Sequence, residues 1–243
     1  MHSRVQRWRW LAADMRAGHL SLALVAVMVV VHLVVFYPHY PFTSVDVTPR
    51  SVWVFENLSL HYEGLKEMKV WQLLSHGLLH GFVLHLLINV VGLLLLGSRV
   101  ERIGGARVLF KVFTLGVLAG GLLQVLVKPD IPLVGASGGI AAILLWLTTV
   151  DPHAKAWPIP VSAKNLGRGI LLSEAGFTIA SIFMPDSELM QVAHACHLGG
   201  GIAGWWLGRR QFGPVLTRED LLRERARREE NGEAPYQPPD SPV

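Results

Sequence analysis

Leu20 to Tyr37 runs without one charged residue, and Arg4, Arg7, Arg9 and Arg16 precede it. That is long enough to cross a hydrocarbon core of about 30 Å. It constrains everything downstream, because a chain can cross a bilayer only as helices or as a closed barrel. A secretory signal carries a similar basic lead. This block is long for one and no small-residue cleavage site follows it, so it reads as a retained transmembrane helix. Five more apolar blocks follow, at Val70–Gly97, Val108–Val127, Ser137–Val150, Leu166–Met184 and Met190–Gly208.

The charges between blocks give an orientation. Basic residues collect before the first block, at Arg99, Arg102 and Arg107, at Lys155, Lys164 and Arg168, and at Arg209 and Arg210. With six spans every cluster falls on one side, and the positive-inside rule makes that side cytoplasmic. Dropping any one span breaks the agreement. A hydrophobic fraction of 51% against 16% charged residues fits one membrane domain rather than soluble ones. The expected division is a cytoplasmic segment 1–19, a membrane domain 20–208 and a charged, Pro-rich cytoplasmic tail 209–243. In that tail Thr217 can cap a short charged helix, and Tyr236–Val243 is expected to be disordered. The net charge of +4 lies at helix ends, not on one face, and does not point to nucleic acid. The single cysteine, Cys196, excludes an internal disulfide.

The fourth block is short. At 1.5 Å per residue, Ser137–Asp151 supplies about 20 Å of helix, so Ser137 is expected roughly 10 Å below the outer interface. The segment ahead of it, Lys128–Gly135, contains Pro129, Asp130 and Pro132. Non-helical backbone at that depth must be enclosed by protein or line a wet cavity. Residues 38–69, with Trp53, Phe55 and Tyr62, read as a long outer loop in the headgroup region.

Two further regions carry polar groups in an apolar setting. LSHGLLHGFVLHLLIN places His76, His80, His85 and Asn89 on the second helix, and AHACHLGGGIAG places His194 and His197 on the sixth. Such groups in a bilayer face a cavity or one another. The serine of VGASGGIAA becomes a nucleophile only with a base in reach, and a neutral imidazole can serve. Gly200, Gly204 and Gly208 follow His197 at four-residue spacing. A small-residue stripe lets helices approach closely, which would bring His197 towards Ser137. Gly135 and Gly138 leave room beside the serine for a substrate backbone. Asn89 and His85 share a helix face. With the Ser137 backbone N–H they could form an oxyanion hole. Each piece has a plainer reading, since serine and glycine in such helices mostly serve packing.

Taken together and in order, from about Trp71 to Gly208, these segments resemble the rhomboid family of intramembrane serine proteases. WQLLSHGLLHGFVLHLLIN with LGSRVE is similar to the family's second helix, GASG to its nucleophile motif and HLGGGIAG to its histidine motif. The resemblance implies an all-α, polytopic, six-transmembrane-helix bundle. It also implies a Ser–His dyad without an acidic third member: Ser137 as nucleophile, His197 as general base, His85 and Asn89 at the oxyanion. His76 and His80 match structural or water-binding positions. Glu101 matches an acidic residue ending the second helix, with a hydrogen-bonding role in the loop. The implied substrates are single-span transmembrane proteins, cleaved near the outer face after reaching the site beside the fifth helix. No cofactor and no metal is implied.

Two positions depart from the pattern. Cys196 stands where alanine is usual, and Ala141 where an aromatic residue often supports the histidine ring. Glu174 has no assigned role: snorkelling to the cytoplasmic interface and pairing with Arg168 are both open to it, and His194 either lines the cavity or faces its rim. Three rival readings exist. One is a histidine-rich metal or haem site, since His76 and His80 have the i, i+4 spacing of helical ligands. Another is an inactive, client-binding relative. The third is a transporter, disfavoured because no internal repeat is visible.

Overall fold

In a computed structural model the described residues are 18–37, 39–42, 48–155, 160–184 and 192–212, with residues 227 and 230 in addition. The basic residues Arg4 to Arg16, the capping role of Thr217 and the segment Tyr236–Val243 lie outside them. Among the described residues the chain is helical, with isolated β-bridges and no strand. The elements used below are α1 (His19–Phe36), α2 (Pro49–Leu58), α3 (Tyr62–Lys66) and α4 (Gln72–Ser75), which continues into a 3-10 turn at His76–Leu78. They continue with α5 (Val83–Gly104), α6 (Ala106–Val127), α7 (Ser137–Val150), α8 (Ala163–Phe183) and α9 (His194–Phe212).

Four of these helices, α1, α5, α6 and α8, are long and apolar enough to cross a membrane. The other two expected spans differ for separate reasons. Helix α7 has only 14 residues, about 21 Å of rise. Helix α9 has 19 residues, but five glycines, two histidines and two arginines dilute its apolar content.

The second expected block is not one helix. It breaks between Leu78 and Val83, so His76 lies in the 3-10 turn and His80 in the irregular stretch that follows. The i, i+4 reading of that pair therefore fails. The break persists because remote groups satisfy its backbone, as burial requires. Val83 N and Leu84 N donate to the carbonyls of Pro41 (2.8 Å) and Phe42 (3.0 Å), and His76 O accepts from Gly135 N (2.9 Å). Leu60 and Leu133 exchange a pair of backbone bonds at 3.0 and 2.8 Å. These tie the segment between α1 and α4 to the backbone entering α7.

That segment forms two short helices. Thr48 and Ser51 make a capping box at the start of α2, with Pro49 at its first position. Trp53 is 62% exposed, whereas Val54 is buried. Helix α5 contains a π-helical stretch at Leu93–Gly97, the single-turn widening often seen inside longer helices.

The main core joins Met28 of α1, Leu86, Leu93 and Val100 of α5, Leu109, Val112, Phe113 and Val117 of α6, and Ile143 and Trp146 of α7. Helix α9 lies against α6 and α7 with almost no side chain between. An added Cβ at Gly200 would strike the Gly138 carbonyl, and one at Gly204 the Ala142 carbonyl. Helix α9 also extends to Phe212, past the expected membrane exit. There Gln211 Oε1 accepts from Trp146 Nε1 at 3.3 Å, and Phe212 meets the Trp146 ring edge-on.

Glu101 sits inside α5, and its partners are not in the loop that follows. Gly18 offers no side chain to cap α1. Glu101 does so from a distance: Oε1 accepts from Leu20 N at 2.9 Å, and Oε2 from Ser21 N and Ser21 Oγ, both at 3.2 Å. The first turn of a helix has orphan donors that need such acceptors. Losing a cap costs about 0.5–2 kcal/mol. Glu101→Ala is expected to lose that much stability, read as a lower thermal unfolding midpoint in detergent. An unchanged midpoint would show that water caps α1 equally well.

Candidate functional site

The backbone that delivers Ser137 is bent before it is helical. Gly135 has φ of +118°, a left-handed conformation that side chains avoid. Its space is also taken, because an added Cβ would lie 2.7 Å from His85 Nε2. The His85 ring thus rests on the Gly135 backbone, two residues before the serine. Helix α7 begins at Ser137 itself, so the serine N–H is among the amides with no intrahelical acceptor.

Gly138 answers a different need from the one expected. An added Cβ there would meet Cys196 Sγ at 2.8 Å and Gly116 O at 3.2 Å. Gly138 is therefore a close-packing residue against α6 and α9. The space that a side chain would take there is filled by protein. Cys196 is fully buried in the same contact.

His197 lies in the first turn of α9, and its Nε2 stands 2.9 Å from Ser137 Oγ. The glycine stripe sets that distance, since Gly200 and Gly204 continue the face on which α9 meets α7. The other ring nitrogen, His197 Nδ1, is 3.3 Å from Glu174 Oε1. Glu174 also bonds His194: Oε2 is 2.7 Å from His194 Nδ1. The His194 ring in turn stacks on Phe177 with centroids 4.7 Å apart and planes 25° from parallel. Both carboxylate oxygens of Glu174 are thus turned to imidazoles of α9 rather than to Arg168. Among the described residues, Glu174, His194 and His197 are also the one His/Cys/Asp/Glu group whose donor atoms lie within 4.8 Å of one another. His76 and His80 belong to no such group.

On the α5 side, Asn89 is buried and its Nδ2 donates to the His85 carbonyl at 2.9 Å. The imidazole of His80 meets that of His85 edge-on, with centroids 5.0 Å apart. His76 is fully buried, and its Nδ1 donates to Gln72 O at 2.8 Å. His32, on α1, was not singled out from the sequence. It is 2% exposed, bonds the His80 carbonyl through Nδ1 at 3.2 Å, and lies against Phe36. The signal was present, as one imidazole in a block otherwise free of ionisable groups. His76 Nε2, His32 Nε2 and Asn89 Oδ1 are buried without a protein partner. These three atoms are polar groups enclosed in the interior of the bundle.

This arrangement sits in the segment that also matches known proteins. A family model described as the rhomboid domain matches residues 67–213, which hold every residue of the cluster except His32. The chain belongs to the rhomboid family. Family membership and the apolar helices make it an integral membrane protein. Rhomboid-related protein 2 of Mus musculus is 27% identical over 172 residues, 68% of this chain and 57% of that protein. Rhomboid-related protein 3 of Homo sapiens is 36% identical over 86 residues, 35% of this chain and 21% of that protein. The rhomboid protease GlpG of Photorhabdus laumondii is 26% identical over 199 residues, 81% of this chain and 62% of that protein. The chain therefore spans less than two thirds of the length of these relatives.

Proposed function

We propose that this rhomboid-family chain is an intramembrane serine endopeptidase that hydrolyses peptide bonds in transmembrane segments of other proteins. The observation that carries the reading is the 2.9 Å approach of His197 Nε2 to Ser137 Oγ. Nucleophile and base at that separation, in a partly open site, are what acyl transfer requires.

The reaction has two halves. Ser137 Oγ attacks the scissile carbonyl carbon while His197 Nε2 takes its proton, and the carbonyl electron pair moves onto oxygen. The tetrahedral intermediate then loses its C–N bond. His197 passes the proton to the departing amine, and an ester remains on Ser137. Water, deprotonated by His197, cleaves that ester and frees the serine. The oxyanion is held by the Ser137 N–H, by His85 and by Asn89. The Asn89 amide keeps a second N–H free for this beside the one it gives the His85 carbonyl. Such donors act most strongly where water is scarce. Water is to reach the site from the outer face, where the buried polar groups of His76, His80 and Asn89 make the interior less apolar. No cofactor enters the reaction.

The reading includes six crossings, with α7 and α9 as the short and the polar span. Both can depart from lipid-like composition because they lie among other helices. The basic clusters put both termini in the cytoplasm, most simply of a bacterial plasma membrane, and the Ser137 end of α7 towards the outer face. Single-span substrates reach the site beside α8, which buries only Gly167, Thr178 and Ser181 of its own length.

The test is cleavage of a single-span substrate in liposomes, with labelling of the protein by a fluorophosphonate. Wild type should cleave and carry the label on Ser137, and Ser137→Ala should do neither. Wild type that neither cleaves nor labels would overturn the reading and leave a client-binding protein. Activity lost to a chelator and regained with metal would overturn the mechanism.

A further inference from the structure

We infer that Glu174 is a third member of the site, a positioning residue that fixes the tautomer and orientation of His197. The inference rests on the proteolytic reading above and departs from the two-residue arrangement that the family resemblance implies. Its basis is a continuous chain of contacts running Phe177, His194, Glu174, His197, Ser137.

The chemistry follows from what each atom can do. An ionised carboxylate only accepts hydrogen bonds. Facing Glu174 Oε1 at 3.3 Å, His197 Nδ1 therefore carries the proton. The neutral ring then has a bare Nε2, and that nitrogen faces Ser137 Oγ. This is the tautomer a base needs before it takes the serine proton. Once it has done so, the ring is a cation beside a carboxylate whose side chain is only 20% exposed. Charge pairing in such a partly dry setting favours the charged intermediate.

Glu174 can serve this role only if it is itself held. His194 Nδ1 bonds Oε2 at 2.7 Å, and the His194 ring lies flat on Phe177. Phe177 and Glu174 are both on α8, so the carboxylate is braced from its own helix and from α9. That brace also accounts for Ala141, which leaves His197 without an aromatic neighbour from α7. The orientation that a ring contact would supply comes from a carboxylate instead.

A rival explanation is that Glu174 is a latch, joining α8 to α9 and regulating sideways access of substrates. The two roles differ in what they move. A latch changes how a transmembrane substrate reaches the site, and so changes KM. It does not alter attack by Ser137 on a small reagent arriving from water. The experiment measures kcat and KM for a single-span substrate in liposomes, together with the rate of Ser137 acylation by a small soluble fluorophosphonate. It compares wild type, Glu174→Gln and Glu174→Asp, with the thermal unfolding midpoint as a check on folding.

Glu174→Gln should lower kcat and the acylation rate together by about 10–100-fold, part of the roughly 10²–10⁴ that a general base contributes, with KM unchanged. Glu174→Asp, which keeps the charge on a shorter stem, should recover part of the loss. An acylation rate within twofold of wild type in Glu174→Gln, with KM altered, would overturn the inference in favour of the latch. No recovery in Glu174→Asp would overturn it too. Wild type without cleavage or labelling would remove the proteolytic reading and this inference with it. Wild type that cleaves alongside an equally fast Glu174→Gln removes only this inference.

Discussion

A double variant, Ser137→Ala with His197→Ala, will cleave a single-span substrate no more slowly than Ser137→Ala alone. Two groups that perform one step fail together, so removing the second adds nothing once the first is gone. His197→Ala by itself should lose on the order of 10²–10⁴-fold, the usual worth of a general base. Ser137→Ala should fall to background. The alternative is that Ser137 and His197 merely hydrogen-bond across two helices at 2.9 Å. Such a bond is worth about 0.6 kcal/mol in membrane proteins, roughly a threefold effect. Each single loss would then be small, and the double variant would lose little more, because either substitution already breaks the one shared bond. Initial rates in liposomes, taken at equal folded protein, separate the cases by at least tenfold. Multiplying losses, or either single variant at the wild-type rate, would sink the dyad.

What the sequence could and could not reveal follows from the range of each interaction. The short helix at 137–150 was legible because its limits are local: prolines and a glycine before it, Asp151 after it. The glycine stripe on α9 was legible for the same reason, since four-residue spacing alone defines a face. The break at Leu79–Phe82 was not. Its residues look like those of a continuous apolar helix, and the groups that satisfy its backbone come from Pro41, Phe42 and Gly135. Glu101 was visible as an acidic residue near a helix end, yet its partners lie 80 and 81 residues earlier. The role of Glu174 was not legible for a related reason. Neighbouring charge suggested Arg168, whereas the carboxylate turns inward to imidazoles 20 and 23 residues later. Gly138 shows the converse limit. A glycine beside a candidate nucleophile suggests space for substrate, and only the position of Cys196 reveals that the space is filled.

The same close approach predicts the largest loss of stability. Gly204→Ala will destabilise the bundle and lower cleavage, although it adds a single methyl group. At that position the new carbon would collide with the carbonyl of Ala142, and the Ala142 Cα would be 2.5 Å away. Backbone cannot rotate aside as the end of a long side chain can, so α9 has to move off α7. Overpacking a tight interface costs about 1–3 kcal/mol, occasionally more, and a collision with backbone belongs at the upper end. The movement also separates the Ser137 and His197 side chains, because Gly204 lies two turns beyond His197 on the same face. A misplacement of about 1 Å can cost on the order of 10²-fold in rate. Gly169→Ala supplies the control. Gly169 is exposed on α8, and an added Cβ meets nothing within 4 Å. Alanine is also the better helix former by about 0.8–1.0 kcal/mol, so that variant should keep or raise its unfolding midpoint. If Gly204→Ala instead unfolds and cleaves like wild type, α7 and α9 are not in backbone contact at that turn. The 2.9 Å approach of His197 to Ser137 would then need another cause, because the interface that sets it would be loose enough to accept a methyl group.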